Sequence, residues 1–335
     1  MSSEVLVNVE RGDLVESIHR GHIVIVNSKG EVVASKGDIN KVVYARSSMK
    51  PLQAIPIVET GAMDHYDFDE WDLSLTCASH NGEDQHTDRV TSILQRLDLG
   101  ASDLQCGMHS PRWPEAYENL IKSGKKLTPV YNNCSGKHSG MLATAKHMHE
   151  TLEDYYKLDH PVQQRILSVI SEMTETSRDD IAIGIDGCGV PVHGVPLKNL
   201  AVGFAKLADP SELSEARQQA IQKITSAMMK TPEMVGGTER FCTDFMKVMQ
   251  GKMFGKSGAE GVYCIGVPEM GIGIALKIED GNGRATSSVA IETLSQLNLI
   301  NEEEKKQLEI HHLPKLLNAR KEIIGLLRPV FSINR

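Results

Sequence analysis

Two hydroxyls and an amine crowd into the stretch Tyr44-Ala45-Arg46-Ser47-Ser48-Met49-Lys50-Pro51. If this segment opens a helix, Ser47 and Lys50 lie one turn apart on one face, and Ser48 points elsewhere. A serine hydroxyl is a poor nucleophile at neutral pH; a neighbouring lysine kept neutral by burial can take its proton. Pro51 suits the first turn of a helix, which needs no N–H from it. The spacing alone is a weak signal. Ser123-Gly-Lys-Lys126 repeats it inside a lysine-rich polar loop and reads as a solvated turn.

Two further motifs give Ser47 company, Ser79-x-Asn81 and Lys256-Ser257-Gly258. A second serine and a second lysine can relay protons to a leaving group and hold positive potential over a developing oxyanion. Gly258 would let a substrate approach the strand backbone. Each motif has a decoy, such as Lys122-Ser-Gly124, but these two adjoin apolar elements. Arg46 and Asp186 could clamp the α-carboxylate and α-ammonium of an amino acid, or form a structural ion pair. His80 and Glu83 could bind a metal or polarise a substrate, and a satisfied turn network is the preferred reading. His311-His312 reads as surface, and Met228-Met229 as core.

These groups need elements to hold them. Val5 to Val9 alternates as a strand, and His22–Asn27 with Glu31–Ala34 flanks a hairpin signal at Ser28-Lys-Gly30. Leu52, Ile55 and Val58 continue a helix after the opening motif, with a kink at Pro56. Asp72 to Ala78 is an apolar strand or buried helix that ends in the polar turn Ser79-His80-Asn81-Gly82-Glu83. Gln85 to Leu97 is an amphipathic helix, and residues 100–130 are irregular. Asn132 to Gly140 leads into a helix at Met141, and Pro161 to Thr174 is a helix. Ile181 to Ile185 reads as a buried strand before the turn Asp186-Gly-Cys-Gly189. Helices follow at about 198–207, 211–229 and 238–250, then strands at 261–266 and 272–278 and a helix to about Leu297. Early strands, a helical block and late strands predict an α+β fold, its first and last strands in one mainly antiparallel sheet packed with helices. Residues 1–335 read as a single catalytic unit: a sheet part from both chain ends and a helical part over about 85–250.

The chain has 335 residues, enough for a large core, with 40% hydrophobic and 24% charged residues. Lys plus Arg is 36 and Asp plus Glu is 44, a net charge of −8. That argues against nucleic acid or an anionic membrane as partner. No stretch approaches a membrane span, and the N-terminus has no secretory pattern. Six scattered cysteines then read as reduced thiols, and the expected setting is cytoplasmic.

The three short motifs together resemble those of penicillin-recognising serine enzymes and related glutaminases. Ser47 to Ser79 is too short for the helical insertion of β-lactamases, which argues against a β-lactam substrate. Longer blocks are more specific: Ala45-Arg46-Ser47-Ser48-Met49-Lys50-Pro51, Ala78-Ser79-His80-x-Gly82-Glu83, Asn132-Asn133-Cys134-Ser135-Gly136-Lys137-His138, Asp186-Gly187-Cys188-Gly189 and Lys256-Ser257-Gly258-Ala259-Glu260-Gly261-Val262. They resemble the asparaginase II, or Rhizobium-type thermolabile L-asparaginase, family over about residues 5–330. The resemblance implies hydrolysis of L-asparagine to aspartate and ammonia, on a fold similar to serine β-lactamases and glutaminases. It implies a homodimer as well.

The same resemblance pairs Ser47 with Lys50 and Ser79 with Lys256, and matches Cys134, Lys137 and Cys188 to the positions that hold one zinc ion. Unaided, both cysteines read as core thiols, and two thiols with a lysine are an unusual ligand set. They do sit in Gly-rich turns beside polar residues, and His138 could replace Lys137 as ligand. On this reading Ser47 attacks the amide carbon of asparagine and Lys50 takes its proton. Backbone N–H groups of Ser47 and Ala259, beside Gly258, hold the oxyanion, and Ser79 and Lys256 protonate ammonia. Arg46, His80, Asn133 and Asp186 are the candidate substrate contacts. Three rivals stand beside this reading: a glutaminase or β-lactam-recognising hydrolase, a non-catalytic zinc-binding amino-acid sensor, and a zinc deaminase. The last lacks its P-C-x-x-C signature.

Overall fold

Alternating apolar residues at both chain ends build one sheet. In the computed structural model, which describes residues 2–333, the chain divides into two units. The first comprises residues up to Ser48, Val195–Asp209 and the chain from Asp244; the second comprises Met49–Gly194 and Pro210–Thr243. Met1, Asn334 and Arg335 lie outside the described residues.

The sheet of the first unit runs Lys315–Leu317, Ile323–Pro329, Glu4–Arg11, Leu14–Val26, Ile272–Ile278, Val262–Val267, Phe254–Gly258, and Val32–Lys36 also pairs with Leu14–Val26. Each recorded pairing is antiparallel. Early and late strands share one sheet as expected, with Ile23 opposite Leu276 and Ile25 opposite Ile274. Ile323–Pro329, a strand the sequence reading did not include, pairs with Glu4–Arg11, Val7 opposite Pro329 and Val9 opposite Leu327. Leu14–Val26 is much longer than the sequence suggested. Its first half is mostly exposed and carries Glu16, Ser17, His19 and Arg20, so no apolar alternation marks it. Helix Leu197–Ala208 lies directly on the sheet. A Cβ at Gly273 would meet Ala201 O at 2.0 Å and Ala205 N at 2.3 Å. Ile23, Val24, Ile25, Ile274, Leu276 and Phe204 are fully buried here, each stabilising by roughly 1.5–3 kcal/mol. His311 and His312 differ from the surface expectation. The short helix Glu309–His312 turns His312 inward, 7% exposed, with Nε2 2.9 Å from Glu292 Oε2. His311 Nε2 is 2.7 Å from Asp244 Oδ2.

The second unit is mainly helical. Asp72 to Ala78 resolves as the helix Glu70–Thr76, closed at its start by a capping box between Asp69 and Asp72. Helix Ser135–His147 starts six residues earlier than the apolar pattern predicted. Its first residues are polar yet buried, because each finds a partner inside. Ser135 Oγ donates to Val130 O at 2.8 Å, and His138 Nδ1 is 2.6 Å from Tyr155 Oη. Gly136 and Gly140 put this helix against the end of Glu70–Thr76. A Cβ at Gly136 would meet Leu75 O at 2.3 Å, and one at Gly140 would meet Thr76 Cγ2 at 3.0 Å. Helix Pro161–Thr174 has the bounds read from sequence.

Three expectations need correction. Residues 114–122 form a helix within the stretch read as irregular, with Pro114 in its first turn. The segment expected as a helix from 238 is a loop until Phe241, because Gly236 and Gly237 precede it. Strand Ala182–Ile185 is largely exposed, Ile185 at 83%. It is the outer strand of a hairpin whose other strand, Pro191–Pro196, takes the buried positions.

Candidate active site

In the first unit, the opening motif is a 3₁₀ turn, Arg46–Met49, after the strand Val42–Tyr44. Arg46 has φ +52°, a left-handed conformation that costs a non-glycine residue of order 1 kcal/mol. Such strain directly before Ser47 is of the kind that gathers at functional turns. Ser48 is fully buried and its hydroxyl donates to Ala45 O at 2.7 Å, whereas Ser47 is half-buried. Strand Phe254–Gly258 ends against this turn. A Cβ at Gly258 would meet Ala45 O at 2.5 Å and Ser48 N at 3.4 Å, so only glycine permits the approach. Lys256 is fully buried and its Nζ donates to Ser257 O at 2.9 Å. Ala259 is exposed, and Arg46 Nη1 lies 3.9 Å from Glu260 Oε1.

In the second unit, Lys50 begins the helix Lys50–Gln53, with Pro51 in its first turn as expected. Lys50 is 1% exposed. Its Nζ donates to Ala78 O, to Ser79 Oγ at 3.1 Å and towards Cys134 Sγ at 3.2 Å. The glycine-mediated crossing of Ser135–His147 over Glu70–Thr76 brings these residues together. Cys134 caps the first helix, and Ser79 lies three residues beyond the second.

Lys137, one turn into its helix, places Nζ 3.1 Å from Cys188 Sγ. Cys188 sits in the turn after Ile185, closed by Gly189 N donating to Asp186 O at 2.9 Å. A hydrogen bond between the two thiols pulls Cys188 down to about 5 against the effect of burial, with Lys137 assisting. That bond, with burial, pushes Cys134 up to about 12. Burial pulls the Lys137 ammonium down, but Cys188, Cys134 and Asp186 outweigh it and raise its pKa. Among the described residues no group of three His, Cys, Asp or Glu side chains could hold a metal ion. The set here is two thiols and one amine. By donor chemistry it fits a zinc ion, two thiols and an amine that are all buried, with Lys137 Nζ beside Cys188 Sγ. His138 turns to Tyr155 instead, leaving Lys137 as the nitrogen beside the thiols.

The remaining candidates are placed as follows. His80 is fully buried, with Nε2 2.9 Å from Ser135 Oγ and Nδ1 accepting from Gly82 N at 3.1 Å. Asn133 is 9% exposed, and its N–H donates to His109 Nε2 at 2.9 Å. Asp186 accepts from Gly187 N at 2.8 Å and lies 4.0 Å from Cys188 Sγ. Glu83 serves the turn network, accepting from Thr238 N at 2.7 Å and Asn81 Nδ2 at 3.0 Å.

Sequence reasoning passed over the loop Gly236–Arg240, His109 and Arg112. Ser79 N donates to Val235 O at 2.9 Å, and a Cβ at Gly237 would overlap Glu83 Oε1 at 2.4 Å. The loop therefore lies flat on the Ser79–Glu83 turn. The Gly-Gly pair was the available signal. His193 was also passed over. It is 2% exposed, neither ring nitrogen has a partner among the described residues, and burial followed by the Lys137 charge lowers it to about 4.

A buried amine bound to a serine hydroxyl is an arrangement of hydrolases that use serine. The sequence matches the L-asparaginase II family over residues 7–329, and the chain belongs to that family. Membership makes it an amidohydrolase with a small-molecule substrate. No curated protein sequence matches it. Among solved structures it is similar to a β-lactamase from Mycobacterium bovis, at 12% identity and TM-score 0.41 over 82% of this chain and 94% of that one. It is also similar to a D-alanine carboxypeptidase from Burkholderia cenocepacia, at 18% identity and TM-score 0.37 over 87% and 92%. At such scores neither likeness bears on what the chain does. Among the described residues no helix is long and apolar enough to cross a membrane.

Proposed function

We propose that the protein hydrolyses L-asparagine to L-aspartate and ammonia through an ester formed on Ser47. The observation that supports this most is the 3.1 Å contact between the buried Lys50 amine and Ser79 Oγ, in a chain of this family. Ser47 Oγ attacks the side-chain amide carbon, and Lys50, three residues on, accepts the hydroxyl proton. Backbone N–H groups of Ser47 and Ala259 receive the oxyanion. The C–N bond then breaks as Ser79 and Lys256 pass a proton to the nitrogen, which leaves as ammonia. Water attacks the ester, Ser47 regains its proton, and aspartate departs.

Asp186 meets the α-ammonium, with Asn133 beside it. Arg46 is the sequence candidate for the α-carboxylate, and His80 acts by holding the Ser135 turn in place. Cys134, Lys137 and Cys188 would hold one zinc ion per chain. When bound it would supply a fixed positive centre tying the Cys134 and Cys188 turns together. A homodimer in a cytoplasmic setting belongs to the same reading.

Glutamine differs from asparagine by one methylene, worth roughly 1–3 kcal/mol of discrimination. A zinc-binding sensor would need the thiol cluster but neither serine–lysine pair. The test is ammonia release from asparagine and glutamine side by side. Release from asparagine with the higher kcat/KM supports the proposal, and release from neither removes it.

A further inference from the structure

Asn81 is two residues from Ser79, which limits their Cα separation to about 7 Å. It binds two other segments. Its carbonyl accepts from Arg112 N at 2.7 Å and Trp113 N at 3.2 Å. Its Oδ1 accepts from Arg240 Nη1 at 3.4 Å, and its Nδ2 donates to Thr238 O at 2.9 Å. One side chain and its backbone therefore tie both an Arg112-bearing segment and an Arg240-bearing loop to the serine turn.

Among the described residues neither arginine has a carboxylate at ion-pair distance. The nearest acid of the turn, Glu83, is occupied by Thr238, Asn81 and Gln85. Crowding around the Arg112 guanidinium and then the Arg240 charge lower the Arg112 pKa, so the two cations sense each other. His80 is kept well below its ordinary value by burial, then by His86, Lys50, His109 and Arg112. Arg46, by contrast, already faces Glu260 at 3.9 Å. Two arginines tied to one turn by Asn81, with no carboxylate partner among the described residues, suit a planar carboxylate, which each guanidinium can bind through two N–H groups.

We propose that Arg112 and Arg240 receive the α-carboxylate of the substrate whose leaving amide nitrogen Ser79 helps to protonate, and so select amino acids over simple amides. This rests on the asparagine reading above.

The test compares L-asparagine with 3-aminopropanamide, which is asparagine without its α-carboxylate, in the wild type and in Arg112→Ala, Arg240→Ala and Arg46→Ala. The wild type should prefer asparagine. Each of the first two changes should raise KM for asparagine by about tenfold or more, with a smaller change in kcat. The preference ratio should fall by the same factor, and Arg240→Lys should restore part of it. Where 3-aminopropanamide turns over too slowly, its Ki against asparagine gives the same ratio. An unchanged ratio in both variants, or loss of preference only in Arg46→Ala, overturns the inference. A wild type that releases no ammonia from asparagine removes the reading beneath it instead.

Discussion

Lys50 Nζ lies 3.1 Å from Ser79 Oγ, with both residues almost wholly buried. The one amine therefore touches the second serine of the site while sitting one turn along the chain from the first. Replacing Lys50 with methionine, which keeps most of its volume, should lower kcat by about 10²–10⁴. Arginine should not rescue it, since a guanidinium keeps the charge but cannot accept a proton. Steady-state ammonia release decides the matter. An active Lys50→Arg enzyme would show that the cation alone suffices.

Gly258 sits where a Cβ would lie 2.5 Å from Ala45 O. Gly258→Ala should displace the Ala45–Ser48 turn, destabilise the fold by about 1–3 kcal/mol and reduce turnover with it. Gly283→Ala is the control, because nothing lies within 4 Å of a Cβ there. Denaturant midpoints and kcat for the two variants give the comparison. Equal behaviour would remove the close-approach argument.

Buried histidines set a pH dependence. His193 is lowered to about 4, first by burial and then by Lys137, from an ordinary 6.5. Burial also lowers His80, His86 and His138. As pH falls from about 6.5 to about 4, the unfolded chain takes up protons that the folded chain refuses. Stability is thus fully present above about 6.5 and falls through that window, by up to about 3 kcal/mol for His193 alone. Urea unfolding at pH 7 and pH 5 measures the loss. His193→Gln should shrink it, and an identical loss in that variant would show that His193 does not contribute.

Much of the fold was legible in the sequence, for reasons that particular elements make clear. Helix Pro161–Thr174 has a clean apolar stripe and a proline start, and it was read to the residue. The common sheet of Leu14–Val26 and Ile272–Ile278 followed from the order of early strands, helical block and late strands, whereas Ile323–Pro329 has no clean alternation and was not read. The start of helix Ser135–His147 was hidden because its polar residues are buried by partners distant in sequence, including His80 and Cys188. The exposed half of Leu14–Val26 carries no core pattern to read. At the site, residue types and spacing marked Lys50 and Ser79 as candidates, and Cys134, Lys137 and Cys188 entered only through the family resemblance. The Arg112 and Arg240 segments were invisible because they meet the serine turn only through contacts distant in sequence, such as those of Asn81 across gaps of 31 and 159 residues.

On the proposed mechanism zinc should affect affinity more than bond breaking, because there Ser47, Lys50, Ser79 and Lys256 would supply nucleophile, base and acid. Elemental analysis of the purified protein should find one zinc per chain. Removing it with a chelator, or making Cys188→Ser, should raise KM for asparagine more than it lowers kcat. A collapse of kcat with KM unchanged would place the metal in the chemistry itself. An absence of zinc, with no uptake on addition, would return both cysteines to the role of buried thiols.

Acid quenching during turnover of asparagine, followed by digestion and mass spectrometry, tests the central claim most directly. The ester should appear as a β-aspartyl adduct, asparagine less ammonia, on the peptide carrying Ser47. It should persist in Ser48→Ala, whose buried hydroxyl only bonds Ala45 O, and vanish in Ser47→Ala. An adduct on Ser79 instead would contradict the assignment and exchange the roles of the two serines.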